Sequence, residues 1–197
     1  TTRTESYTYD DAGNLLTFNN GVNSHTYTYG DSAWGDLLTA VDGHAFTHDQ
    51  IGNPTEYYNG YDYNFTWEHG RQLQSAVTGG ATTYYQYNAD GIRTQKQTGD
   101  LVTEYFLVDG KAIGEVVRDP WGYYFYWLRY TFDENGQIIG FGRWVLGDTA
   151  WTEYYFAKNL QGDVIGVYRV SDNEQVAEYQ YDAWGNVTDE DVSVSAL

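Results

Sequence analysis

At 197 residues the chain is long enough for one sizeable core or for a run of stacked hairpins. A formal charge of −18 with only ten Lys and Arg works against nucleic acid or an anionic membrane as partner, since phosphate binding needs clustered basic residues. Cysteine is absent, which excludes disulfides and thiolate metal sites, while Tyr 21, Phe 8 and Trp 7 beside Gly 22 and Pro 2 favour aromatic-packed strands joined by frequent turns.

The first predicted element is Tyr7-Thr-Tyr9, whose alternate tyrosines share one strand face, running into Asp10-Asp-Ala-Gly13-Asn14. Asp at the first position of a type I turn accepts nearby backbone N–H groups, and Gly at the fourth takes positive φ at little cost. The same hairpin is written at Phe46-Thr-His48 with Asp49-Gln-Ile-Gly52-Asn53, and at Tyr85-Gln-Tyr87 with Asn88-Ala-Asp-Gly91. It returns at Tyr130-Thr-Phe132 with Asp133-Glu-Asn-Gly136, at Phe156-Ala-Lys158 with Asn159-Leu-Gln-Gly162, and at Tyr179-Gln-Tyr181 with Asp182-Ala-Trp-Gly185. Looser copies, Tyr27-Thr-Tyr29 and Phe65-Thr-Trp67, lead to Gly35 and Gly70. The anchoring glycines from Gly13 to Gly185 stand 17 to 26 residues apart, except for a gap of 45 from Gly91 to Gly136 that divides at Gly110. Self-similarity at such a period is the signature of a repeat architecture, here an all-β one.

Residues 1–100 therefore read as YD-like hairpins with polar outer positions, with Asn59-Gly60 and Gly79-Gly80 as further turns. Residues 101–128 depart from the pattern: Val102 to Val108 and Ile113 to Val117 read as strands about Asp109-Gly110, and Asp119-Pro-Trp-Gly122 as a turn. Tyr123-Tyr-Phe-Tyr-Trp-Leu128 is the most apolar run and is expected to be a strand buried on both faces. Residues 129–187 resume the repeat, and 188–197, opening Thr188-Asp-Glu-Asp191, read as an acidic tail or linker. No sustained 3.6-residue period predicts a helix.

Chemistry-bearing residues are weighed against plainer roles. His25, His44, His48 and His69 fall in strand and turn sequence, where a spacing such as His44 to His48 does not bring two ligands onto one metal as it would on a helix. Asp31 to Asp36 and Asp189-Glu-Asp191 lack the alternating ligands and closing Glu of a calcium loop. No nucleophile elbow or phosphate-binding glycine loop is present, so catalytic, cofactor and metal sites are all expected to be absent. Asn64-Phe-Thr66 and Asn186-Val-Thr188 fit the glycosylation sequon. No apolar run is long enough to span a bilayer as a helix. The chain opens in mid-repeat without Met, which suggests a fragment of something longer.

The Tyr-x-Tyr-Asp-x-x-Gly-Asn pattern at Tyr7 to Asn14 and Tyr179 to Asn186 resembles the YD repeat of the RHS/teneurin family. Tyr154-Tyr-Phe-Ala-Lys-Asn-Leu-Gln-Gly-Asp-Val-Ile-Gly166, followed by Tyr179 to Gly185, is similar to the entrance of the RHS-associated core in its Gram-positive style. The resemblance implies tandem hairpins in a twisted or spiralling antiparallel sheet, a wall segment of a shell that encloses a C-terminal toxin in bacterial members. It implies a non-catalytic scaffold, no cofactor, and a place outside the cell or at the cell wall within a longer secreted protein. The implied partners are other repeats or a toxin domain of the same polypeptide, and a second copy through open sheet edges. Many relatives end their core at an autoproteolytic Asp-Pro; Asp119-Pro120 lies upstream and without that context, and turn chemistry explains its letters. The repeat residues carrying the resemblance are Tyr7, Tyr9, Asp10, Gly13, Asp49, Gly52, Tyr85, Tyr87, Gly91, Asp133, Gly136, Gly162, Tyr179, Tyr181, Asp182 and Gly185. The rival reading is an aromatic-repeat module that binds cell-wall glycan, although no Trp recurs at one repeat position.

Overall fold

The computed structural model describes residues 4–182 and 185–192. The protein is all-β: among the described residues there is no helix, and every strand ladder is antiparallel. Strand order equals chain order, β1 to β5 in a five-stranded sheet and β6 to β18 in a thirteen-stranded one. A meander of this kind needs only local turns, and the [Asp/Asn]-x-x-Gly signals supply many of them.

The chain divides into two compact units, 1–86 and 87–197. The first holds β1 (Ser6–Tyr9), β2 (Leu15–Asn19), β3 (Ser24–Thr28), β4 (Ala40–Val41) and β5 (His44–Ala45), then β6 (Glu56–Tyr58), β7 (Asp62–Glu68), β8 (Gln72–Thr78) and β9 (Ala81–Tyr87). Between β5 and β6 regular pairing lapses to a single bridge, His48 to Pro54, about the Asp49 turn. Rings cross that lapse instead, with His44 stacked on Tyr58 at 3.8 Å and Phe46 tilted on Tyr57 at 5.3 Å. Val41 and Phe46 are buried there.

The second unit holds β10 (Arg93–Thr98), β11 (Leu101–Val108), β12 (Lys111–Arg118), β13 (Tyr124–Phe132), β14 (Ile138–Val145), β15 (Thr152–Lys158), β16 (Val164–Arg169), β17 (Gln175–Tyr181) and β18 (Val187–Val192). Its most buried side chains are Val102, Val116 and Val176, compact β-branched residues suited to strand interiors. Tyr154, Val167, Val176 and Ala177 form a core cluster against which Phe141, Phe156, Tyr179 and Val192 pack. In the first unit rings meet in Tyr7–Phe18–His25 and in a longer run, His48–Phe46–Tyr57–Tyr63–Phe65–Trp67, and in the second Phe141 stacks on Tyr154.

Three expectations are corrected. Residues 188–192, with the acidic Asp189, Glu190 and Asp191, belong to β18 and not to a tail, paired with β17, because Val192 reaches the core cluster opposite Ala177; the rest of the expected tail lies outside the described residues. Tyr123, Tyr124 and Phe125 are exposed at 59%, 42% and 37%, since that end of the run lies beside the Asp119 turn where neighbours cover little of it. Gly35 has no positive φ, and the chain from β3 to β4 is an irregular connection held by Asp31, whose Oδ1 accepts the N–H of Ala33 and of Trp34.

Candidate functional site

The repeated turns form one structure. At Asp10 the Gly13 N–H donates to the Asp10 carbonyl at 3.1 Å, and the Asp10 N–H donates to the Asn14 carbonyl at 3.0 Å. The Asp10 Oδ1 accepts the N–H of Ala12 at 2.9 Å and of Asn14 at 2.8 Å, and its Oδ2 takes the Asn14 amide at 2.9 Å. Asp49 repeats all of this with Ile51, Gly52 and Asn53. The backbone pattern returns at Asn88, Asp119, Asp133, Asn159 and Asp182. A type I turn closed by a left-handed glycine inserts a bulge into the hairpin, and the register shifts beside the turns, at Thr8/Tyr9, Thr131/Phe132, Ala157/Lys158 and Gln180/Tyr181. Asp119 accepts the N–H of Trp121 and Tyr123 in the same manner, so its carboxylate serves a turn.

Successive turns of a meander lie at alternate ends of the strands, so within each unit the glycine series of the sequence runs along one edge and Asp119–Gly122 lies on the other. Along that first edge, a side chain beside one turn glycine reaches the next at Gly52, Gly70, Gly110 and Gly136, while Gly162 and Gly185 stand open. A Cβ on Gly52 would lie 2.4 Å from the Trp34 ring, and one on Gly70 would touch Ile51 at 4.0 Å. In the second unit a Cβ on Gly110 would meet Ile92 at 2.9 Å, and one on Gly136 the Lys111 ammonium at 2.9 Å. Polar ties reinforce the contacts: Asn53 Nδ2 donates to the Gly70 carbonyl at 2.6 Å, and Lys111 Nζ to the Gly136 carbonyl at 2.8 Å. Lys111 also lies over the Phe132 ring.

The repeat tyrosines divide. Tyr7, Tyr85, Tyr87, Tyr179 and Tyr181 are half-buried, whereas Tyr9 is exposed. The Tyr181 hydroxyl donates to the Val164 carbonyl at 2.7 Å, and burial followed by the nearby Asp163 charge pushes its pKa up. In β13, Tyr130 lies above the usual phenol range because of burial and then the charge and hydrogen bond of Glu115. Of the histidines, His25 Nδ1 meets Asp42 Oδ2 at 2.7 Å and His69 sits in a turn at φ 46°. No three His, Cys, Asp or Glu side chains converge as a metal site among the described residues.

Asp10 and Asp49 have pKa values below the usual carboxylate range. At Asp10 the Asn14 side-chain amide is the largest cause; at Asp49 desolvation opposes the shift, and hydrogen bonds from Asn53 and Ile51 outweigh it. Depressed folded-state values contribute stability that is present above the unfolded value of about 3.9 and is lost as pH falls through the folded values. Asn88 and Asn159 show that Asn supports the same turn. Thermal melts of an Asp10→Asn/Asp49→Asn variant are therefore expected to lose less stability than the parent between neutral pH and the acid limb; parallel losses would contradict the assignment.

Asn53 is 4% exposed and ties its own turn to the next. Asn53→Ala strands the Gly70 carbonyl and an Asp49 oxygen, an expected cost of about 2–3 kcal/mol in urea unfolding. Asn186→Ala, at an exposed copy of the turn, should cost less than about 1 kcal/mol.

The chain is similar to curated nucleases of far greater length. It is 29% identical over 191 residues to the tRNA3(Ser)-specific nuclease WapA of Bacillus spizizenii and to the tRNA nuclease WapA of Bacillus subtilis strain 168, covering 95% of this chain in each case. It spans 8% of the length of either. No family model matches. Among solved structures, a Photorhabdus luminescens Tc holotoxin pore aligns over 93% of this chain and 12% of that one, at TM-score 0.46 and 13% identity. TcdB2–TccC3 aligns at TM-score 0.45 and 12% identity, over 93% of this chain and 13% of that one.

The signal for the covering side chains was in the sequence, beside each turn glycine: Trp34, Ile51, Ile92 and Lys111. It goes unread there because these residues share position and not chemical type.

Proposed function

We propose that the chain is a non-catalytic scaffold, a YD-repeat wall segment of a longer secreted polypeptide that encloses or presents a C-terminal toxin or effector. The observation that carries this reading is the repeated, bulged [Asp/Asn]-x-x-Gly turn, whose carboxylates and amides are committed to holding hairpins in register. The similarity along nearly the whole chain to much longer tRNA nucleases, of which it spans a small part, supports a place inside such a polypeptide. The glycan-module reading has less support, since rings such as Phe141, Tyr154, Tyr155 and Tyr168 stack on one another.

The test uses the full-length polypeptide. Gly52→Ala and Gly140→Ala together should open the wall and speed protease cleavage of the C-terminal region. Unchanged cleavage, with the segment shown to be loosened by hydrogen exchange, would overturn the enclosing role.

A further inference from the structure

Three Asn-Gly steps stand in the chain, Asn20-Gly21, Asn59-Gly60 and Asn135-Gly136. Such a step carries its own chemistry, because a glycine nitrogen with no side chain beside it can reach the asparagine side-chain carbonyl. The rate depends on how firmly the local structure holds the two reacting groups.

Two of the steps are held. Asn20 is 8% exposed, and its Oδ1 accepts the N–H of Val22 at 3.0 Å and of Asn23 at 2.7 Å. The Gly21 N–H, which would have to attack, donates to Asn19 Oδ1 at 2.7 Å. At the third step the Gly136 N–H donates to the Asp133 carbonyl at 3.0 Å, and the Asn135 N–H to Asp133 Oδ1 at 2.9 Å. Lys111 clamps the same turn through the Gly136 carbonyl. The repeated turn thus shields the asparagine inside it.

Asn59-Gly60 joins β6 to β7 and lacks these restraints. Tyr58 pairs with Asp62, so three residues close the hairpin, with the Asn59 N–H reaching the Tyr61 carbonyl at a long 3.3 Å. Both residues are exposed, and neither the Asn59 side chain nor the Gly60 N–H has a hydrogen-bond partner among the described residues. Gly60 stands at φ +100° with nothing within 4 Å of a Cβ, which leaves the peptide room to turn towards the side chain.

We propose that Asn59 is a site of covalent self-modification, cyclising with the Gly60 nitrogen to a succinimide that opens to aspartate and isoaspartate. The Gly60 nitrogen gives its proton to water or hydroxide and bonds to Asn59 Cγ; the Cγ–Nδ2 bond breaks, and Nδ2 leaves with a proton from water as ammonia. Water then adds across one of the two imide C–N bonds, leaving a carboxylate. Opening at one bond gives ordinary aspartate, and opening at the other inserts a methylene into the backbone of the three-residue connection. That lengthening disturbs the Tyr58–Asp62 pairing at β6, the edge strand of the thirteen-stranded sheet. The proposal goes beyond the scaffold role and stands without it.

The test ages the full 197-residue chain in mildly alkaline buffer made with heavy-oxygen water and maps its peptides by mass spectrometry, with a parallel sample in urea. In the folded chain the Asn59 peptide should take up label at least about fivefold faster than the Asn20 and Asn135 peptides, the factor that one net hydrogen bond represents. In urea the three rates should converge, and the Asn59 product should separate into aspartyl and isoaspartyl forms. The isoaspartyl chain should exchange its β6 and β7 amides faster than the parent. Asn59→Asp, which has the charge without the added methylene, should keep parent-like protection. Equal rates in the folded chain, no label at Asn59, a rate ratio that persists in urea, or aspartate as sole product would overturn the proposal. Unchanged β6 and β7 exchange in the isoaspartyl chain would overturn its structural consequence.

Discussion

Gly52→Ala is expected to destabilise the first unit by about 2–4 kcal/mol, more than the same change at any open turn of the series. Gly52 sits at φ +84°, so any Cβ meets the left-handed penalty of roughly 1–2 kcal/mol. It also lies under the Trp34 ring, with a Cβ 2.4 Å from one ring carbon and 2.7 Å from another. Gly185 has a similar φ of +81° with nothing within 4 Å, so Gly185→Ala should show the backbone penalty alone. Gly185→Val should exceed it, because β-branching narrows the backbone further. Removing the ring separates the two causes: in a Trp34→Ala background, Gly52→Ala should cost no more than Gly185→Ala does in the parent. Urea unfolding of the four-member cycle measures this coupling. Equal costs of Gly52→Ala with and without Trp34 would show that the ring does not rest on the turn.

Gly140→Ala is the second large effect, and its cause lies inside the sheet. A Cβ there would stand 2.2 Å from the Tyr154 carbonyl oxygen and 3.0 Å from the Tyr155 Cα. Both neighbours are backbone of β15, paired with β14 through Gly140 opposite Tyr155, so relief requires the strands to separate. Tyr154 is 4% exposed and belongs to the second unit's core cluster, which couples the displacement to packing around Val167 and Val176. The expected cost is about 1–3 kcal/mol, with amide protection lost first along β14 and β15. Gly140 has no positive φ, so its cost is steric, whereas Gly147→Ala, at φ +100° with no neighbour within 4 Å, shows left-handed backbone strain alone for comparison. Parent-like protection in Gly140→Ala would show that the two strands have slack.

The repeat was legible because its turn chemistry is local. Asp10, Asp49, Asn88, Asp133, Asn159 and Asp182 each specify their own turn through bonds no more than four residues away. Burial was less legible, because it depends on what lies beside a strand. Tyr123 to Phe125 look like core by composition and stand exposed at a strand end, whereas Val192 looks like tail and packs on the core cluster. Gly35 joins the series by spacing alone, and spacing does not report φ. The contacts that tie turn to turn, such as Trp34 on Gly52 or Lys111 on Gly136, link residues 18 and 25 apart through unlike side chains. No sequence periodicity marks them.

The most direct test of the non-catalytic reading is to incubate the isolated 197-residue chain with tRNA, in molar excess and with divalent cation present, and to follow the RNA on a denaturing gel. A folded, β-rich chain should leave the RNA intact over hours, as buffer does. Cleavage that scales with chain concentration and disappears on thermal unfolding would contradict the scaffold reading and place nuclease chemistry in this segment.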